Sequence, residues 1–192
     1  MVTSLTGKSI VEIMKVHRGQ CLFSDDGLEL EYKDLVETIE EFGKQLSSIE
    51  MENNKICALV LHNGLDVAIS FLALANYVTV SPLNPNYTKE EFLFFLEDLD
   101  CEFIVTDKNT SNSLLEAAKQ LKIKLFYLNN YSPKNRLSIK SLSTPPECLL
   151  NQNRADDICL ILHTSGTTSR PKQVQLSCVN IISCLLYTYD AA

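Results

Sequence analysis

The sequence predicts an α/β fold: a mostly parallel, doubly wound sheet with helices on both faces. Three observations carry that expectation. Strings of strand length alternate with strings of helical periodicity in repeated strand–helix–strand units. One string, Ile158 to Leu162, has the length and β-branched content of a buried strand. With 192 residues and 45% hydrophobic content, the chain can bury a core of ordinary size, enough for one domain or most of one.

Taken in order, Ser9 to Val16 reads as a short helix. Gln20 to Ser24 and Leu28 to Glu31 flank an Asp26-Gly27 turn as a hairpin, and a long amphipathic helix follows over Tyr32 to Ile49. Lys55 to Leu61 is a strand, Leu65 to Tyr77 a buried helix and Val78 to Ser81 a short strand. Residues 81–98 open with Pro82 and Pro85, which forbid helix, and then turn amphipathic. Thr88 is the expected N-cap of a helix over Lys89 to Leu99, with Glu91 three residues on to complete a capping box. Phe103 to Thr106, Leu114 to Leu121 and Ile123 to Leu128 give strand, helix and strand again. Polar residues with Pro133, Pro145 and Pro146 make residues 129–157 a long surface connection. The acidic pairs Glu40-Glu41 and Glu97-Asp98 read as solvated helix faces, not as paired catalytic carboxylates.

Composition narrows the function classes. A net charge of −7 and an isoelectric point near 5.0, with no basic patch interleaved with aromatics, argue against a nucleic-acid partner. Seven cysteines at 21, 57, 101, 148, 159, 178 and 184 are odd in number and sit mostly in apolar strings, so they read as reduced core thiols. None of His17, His62 and His163 has a partner at metal-ligand spacing, and no metal site is expected from protein ligands. Met1 to Ile10 lacks the basic flank and apolar stretch of a secretory signal, and the apolar window Val67 to Val80 is too short to span a bilayer, so an intracellular protein is expected.

The chemistry concentrates at residues 158–173. The apolar run breaks into a loop in which Thr164, Ser165, Thr167 and Thr168 flank Gly166, and Arg170, Pro171 and Lys172 close it. Hydroxyls and turning backbone N–H groups suit one anion, and Lys172 adds a compact charge that can reach a phosphate. Such clusters are also common as surface turns, and spacing decides between the two. The Gly-x-x-x-x-Gly-Lys-[Ser/Thr] spacing of a Walker loop is absent. His163, at the strand end, reads as a packing or loop-orienting residue rather than a catalytic one.

The string Thr164-Ser165-Gly166-Thr167-Thr168 followed by Pro171-Lys172, directly after a hydrophobic strand, resembles the phosphate-binding signature of the adenylate-forming (AMP-dependent synthetase/ligase) superfamily. Ser169 stands where that pattern usually has Gly, and the variant Ser-Gly-Thr-Thr-Ser-Arg-Pro-Lys resembles the oxalate–CoA ligase branch. Pro82-Leu83-Asn84-Pro85, Tyr87-Thr88 and Glu91-Phe92 are similar to the same branch, as a scaffold signature rather than a catalytic one. Gln173 stands where the pattern has a second Gly, and a side chain there would oppose a positive φ if the loop needed one.

The resemblance implies that residues 1–183 are about the first third of an acyl-CoA synthetase, part of its large N-terminal domain. After Lys172 it implies a strand, Val174 to Leu176, and a helix capped by Ser177. It also implies activation of a carboxylic acid, oxalate among the candidates, by Mg-ATP to an acyl-adenylate and transfer to CoA. Thr164, Ser165, Gly166, Thr167 and Thr168 would cradle the ATP phosphates, with Lys172 over the departing pyrophosphate. ATP, Mg2+, CoA and a small carboxylate are thus the expected partners of the whole enzyme, and this length alone is expected to be inactive. An adenylating ligase of another branch, for 4-coumarate or medium-chain acids, and a non-catalytic nucleotide-binding or interaction module stay open. The branch makes cytoplasm or peroxisome the expected location. Residues 184–192 resemble a translated sequencing adapter and are expected to be non-native.

Overall fold

Hydroxyl side chains cap the starts of several helices. The computed structural model describes residues 9–23, 27–48, 55–132, 136–139, 150–164 and 171–183. Helix α1 (Ile10–Met14) starts at Ser9, whose Oγ accepts the Glu12 N–H at 3.2 Å while the Glu12 carboxylate accepts the Ser9 N–H at 2.7 Å. Strands β1 (Gln20–Phe23) and β2 (Glu29–Glu31) pair antiparallel, and Gly27 takes the φ of +84° that their turn requires. Helix α2 (Tyr32–Ser48), strand β3 (Ile56–Val60), helix α3 (Leu65–Ala75) and strand β4 (Thr79–Pro82) follow. Helix α4 (Lys89–Asp98) carries the expected Thr88/Glu91 capping box, with the Glu91 N–H donating to Thr88 Oγ1 at 3.3 Å.

Strand β5 (Phe103–Thr106) leads to helix α5 (Asn112–Leu121), which begins two residues earlier than the periodicity predicts. Ser111 is the reason: its Oγ accepts the Leu114 N–H at 3.3 Å and draws the preceding residues into the first turn. Strands β6 (Lys124–Asn129), β7 (Ser138–Ile139), β8 (Ile158–Thr164) and β9 (Lys172–Ser177) complete the sheet, and residues 178–183 are helical. The expected Ser177 cap is present, with Ser177 Oγ accepting the Asn180 N–H at 3.4 Å.

Seven strands lie in the order β7-β6-β5-β3-β4-β8-β9. Strands β3, β4, β5, β6 and β8 are parallel, and the outer strands β7 and β9 run antiparallel to their neighbours. The period of two along the central strands feeds two separate cores. Cys57 and Leu59 of β3 and Phe103 and Val105 of β5 join Leu35, Ile39 and Phe42 of α2 and Ile69 and Leu74 of α3. Ala58, Val60 and Ile104 point the other way, to Phe92 and Leu96 of α4 and Leu114 and Ala117 of α5. Helices therefore cover both faces, as the strand–helix alternation predicts. Each large side chain so buried contributes about 1.5–3 kcal/mol.

The long connection departs from its expected surface course. Leu137, Ile139, Asn153 and Ala155 are buried, and β7 pairs with β6. The connection is tied to α2 as well: the Ile139 N–H donates to Gln45 Oε1 at 2.9 Å and the Leu150 N–H to Ser47 Oγ at 2.9 Å. Asn153 then closes the end of α3. Its N–H donates to the Asn76 carbonyl at 2.7 Å, and its Nδ2 donates to the Ala75 and Val78 carbonyls at 3.0 and 3.3 Å. Those carbonyls have no partner within the helix, and a polar residue supplied from 77 residues away satisfies them. The expected non-native tail, residues 184–192, lies outside the described residues.

The cysteines fit the reduced-thiol reading where they are described. Cys57, Cys101, Cys159 and Cys178 are buried and free. Burial pushes the Cys101 thiol up to about 12.

Two substitutions test this packing. Asn153→Ala removes both side-chain donations while leaving the α3 carbonyls buried, and urea unfolding is expected to register a loss of about 1–3 kcal/mol. Gly43 lies inside α2 against the ring of Tyr77, and a Cβ there would overlap that ring. Gly43→Ala should therefore destabilise the chain by about 1–3 kcal/mol despite alanine's better helix propensity. A gain in stability would contradict the close approach.

Candidate functional site

The site is built on one seam of the sheet. Strand β8 joins β4 through the pair Val80 and Leu160, reinforced by Thr79 Oγ1 donating to the Ile158 carbonyl at 2.7 Å and Ser81 Oγ to the Ile161 carbonyl at 3.0 Å. Buried hydroxyls thus fix the height at which β8 leaves the sheet. Because β8 runs parallel to β3 through β6, its far end opens at the carboxyl edge, where open α/β sheets bind ligands. Strand β9 returns antiparallel, and the last register pair before the hairpin opens is Thr164 with Lys172.

Of the residues expected to cradle a phosphate, Thr164 and Lys172 are described, and the structure brings them together. As register partners they share one face of the hairpin, and Thr164 Oγ1 lies 3.4 Å from the Lys172 carbonyl. Both are exposed, and among the described residues the Lys172 ammonium forms no ion pair. A hydroxyl and a free cation at the mouth of a hairpin suit a phosphate oxygen, so these two residues fit the expected guest. Ser165, Gly166, Thr167 and Thr168 lie outside the described residues. Lys172 begins β9 rather than standing in the loop, because β9 pairs with β8 along its whole length and is longer than the expected Val174 to Leu176.

One residue below that mouth, a polar cluster ties the hairpin to α4. His163 Nε2 lies 3.0 Å from Asp98 Oδ2. Gln173, the register partner of His163, donates Nε2 to the Asp98 carbonyl at 2.6 Å and to Asp98 Oδ2 at 2.9 Å. Aromatic rings back the cluster: Phe95 meets the His163 ring edge-on with centroids 4.7 Å apart, and Tyr87 stacks on Phe95 at 4.9 Å. The two segments that carry the family resemblance, residues 82–92 and 164–172, are therefore joined through Tyr87, Phe95 and His163.

One expectation changes here. Gln173 is a strand residue, and the positive-φ non-glycine residues among those described are Asp100 and Lys122, so position 173 demands no glycine backbone. Asp98 is exposed, as a solvated helix face requires, and in addition accepts hydrogen bonds from residues 65 and 75 positions away. No local pattern could reveal that, since nothing in the helix periodicity distinguishes Asp98 from Glu97. The orienting role expected for His163 agrees with its bond to Asp98. Among the described residues, no group of three or more His, Cys, Asp or Glu side chains gathers to hold a metal ion, and no helix is long and apolar enough to cross a membrane.

Comparison with known proteins shows the family and the fold. A family model described as AMP-binding enzyme matches residues 13–191. Oxalate–CoA ligase from Arabidopsis thaliana is 35% identical over 159 residues, covering 80% of this chain and 31% of the relative. Oxalate–CoA ligase from Saccharomyces cerevisiae is 32% identical over 154 residues, covering 67% of this chain and 28% of the relative. The chain thus spans about a third of the length of these relatives. Among solved structures, ATP-bound MatB from Rhodopseudomonas palustris superposes with a TM-score of 0.74 at 22% identity, over 95% of this chain and 37% of that one, a likeness of fold.

Proposed function

This chain belongs to the AMP-binding enzyme family, and on that footing we propose that it is the N-terminal portion of an acyl-CoA synthetase that activates a small carboxylic acid, with oxalate the first candidate. The observation that carries the reading is the hairpin mouth. Thr164 and Lys172 face each other at the carboxyl edge of the sheet, on a strand held by buried hydroxyls. The oxalate assignment rests on the two similar ligases together with the Ser169-Arg170 variant of the loop.

The chemistry follows from what a carboxylate lacks. Its oxygen is a poor leaving group, and attack on the α-phosphate of ATP exchanges it for AMP, releasing pyrophosphate; the thiol of CoA then displaces AMP. Positive charge and hydrogen-bond donors at the β- and γ-phosphates stabilise the charge that develops on the departing pyrophosphate. Lys172 is the residue of this chain suited to that task, with Thr164 and the hydroxyls of Ser165, Thr167 and Thr168 orienting the phosphates and Gly166 letting the backbone approach them. Bound Mg2+ would neutralise the same oxygens. The acid and CoA pockets require partners beyond these residues, and this length alone is expected to bind phosphates without turnover.

In the complete gene product, pyrophosphate release is expected with oxalate and not with cinnamates or fatty acids. Strong release with another acid and none with oxalate would move the protein to a different branch. Lys172→Ala should lower the adenylation rate by about 10²-fold, the scale of losing one charge-stabilising donor, with little change in thermal midpoint. Unchanged pyrophosphate release would remove Lys172 from the mechanism.

A further inference from the structure

We infer that Asp98 and Gln173 are positioning residues that hold the Thr164/Lys172 pair in its phosphate-ready geometry, an inference that rests on the phosphate reading of that pair. Asp98 occupies the last position of α4, a helix with no basic residue in its last turn. A carboxylate there faces the negative end of the helix dipole, and the final carbonyls of the helix lack intrahelical N–H donors. Gln173 answers both needs with one amide group. One N–H goes to the Asp98 carbonyl at 2.6 Å and the other to Asp98 Oδ2 at 2.9 Å, so both donors of its Nε2 are used on a single residue. Gln173 thus satisfies the last carbonyl of α4 from β9, while the carbonyls of Phe95, Leu96 and Glu97 accept from the backbone N–H groups of residues 99–101.

His163 makes the clamp two-sided. Its side chain is 8% exposed, and its Nε2 faces the same Asp98 Oδ2 at 3.0 Å. Nδ1 is buried and has no partner among the described residues, so Asp98 is the hydrogen-bond partner that sets the ring's orientation, with the edge of Phe95 against it. Asp98 therefore grips both strands of the hairpin at one register pair, His163 with Gln173. The next pair outward is Thr164 with Lys172. A twist or slip at the lower pair would be passed directly to the upper one, because consecutive strand residues share a rigid ladder. The side chain at 173 thus contributes a contact that a glycine could not make.

The test uses the 192-residue chain with inorganic pyrophosphate as the probe, read by calorimetry, and long-range 15N–1H correlation spectra of His163. Gln173→Gly and Gln173→Glu are each expected to weaken pyrophosphate binding at least fivefold, the second by setting a carboxylate against Asp98. The exchanged pair Asp98→Asn/Gln173→Glu should recover part of the binding lost in Gln173→Glu, since the new amide can donate to the new carboxylate at position 173 while its oxygen still accepts from His163 Nε2; the main-chain carbonyl of residue 98 loses its donor, so recovery stops short of wild type. Asp98→Ala should alter the tautomer signature of the His163 ring. A structural role without positioning would lower the thermal midpoint of all variants and show no rescue in the pair. Lys172→Ala separates the two layers of the argument. If wild type binds no pyrophosphate, or binds it regardless of Lys172, the phosphate reading falls and this inference falls with it. If binding depends on Lys172 but is indifferent to Asp98 and Gln173, the inference alone is overturned.

Discussion

Burial of the central strands on both faces is the constraint from which the rest of the structure follows. A strand such as Ile56–Val60 cannot leave either face wet when Cys57 and Leu59 point one way and Ala58 and Val60 the other. Helices must therefore lie on both sides, and parallel neighbours must be reached by crossovers. Backbone groups at the ends of those helices then need partners, and the chain supplies them from a distance. Asn153 closes α3 and Gln173 closes α4. In both cases a residue with no role in its own segment's periodicity completes an element formed much earlier in the sequence.

The same constraint locates the chemistry. Parallel strands expose their carboxyl ends along one edge, and β8 delivers its polar loop there because Thr79 and Ser81 anchor it to β4. Apolar packing alone would hold β8 but would not fix its height, since β4 and β8 share a single register pair. Two buried hydroxyl bonds, each worth about 1 kcal/mol net, add direction where hydrophobic contact is indifferent to it. The aromatic series Tyr87, Phe95 and His163 does the same between α4 and the hairpin.

Electrostatics at the hairpin is local rather than global. The chain carries a net charge of −7, yet the mouth presents the Lys172 ammonium with no ion pair among the described residues. The Asp98 carboxylate, at the end of the helix packed beside the hairpin, accepts from His163 and Gln173. Average charge is a poor guide to a site built from one cation and a few hydroxyls.

Much of this was legible in order along the chain. Thr88 and Glu91, Ser177, the Gly27 turn and the βαβ alternation are local patterns, and each acts through neighbours within a few residues. For that reason the fold class, the starts of the helices capped by Ser9, Thr88 and Ser177, and the phosphate-loop signature could be read without coordinates. The burial of Leu137, Ile139, Asn153 and Ala155 could not, because polar and proline-rich composition describes a segment's average and not the few side chains it inserts. The contacts of Asp98 with His163 and Gln173 were likewise invisible, since they reach across 65 to 75 residues. By itself the sequence determined the repeating elements and the family signature, because both arise from short-range geometry and side-chain chemistry. Only the tertiary structure decided that Thr164 and Lys172 face each other above a clamp made by Asp98, because that juxtaposition exists only once α4 and the β8–β9 hairpin have packed on a common sheet.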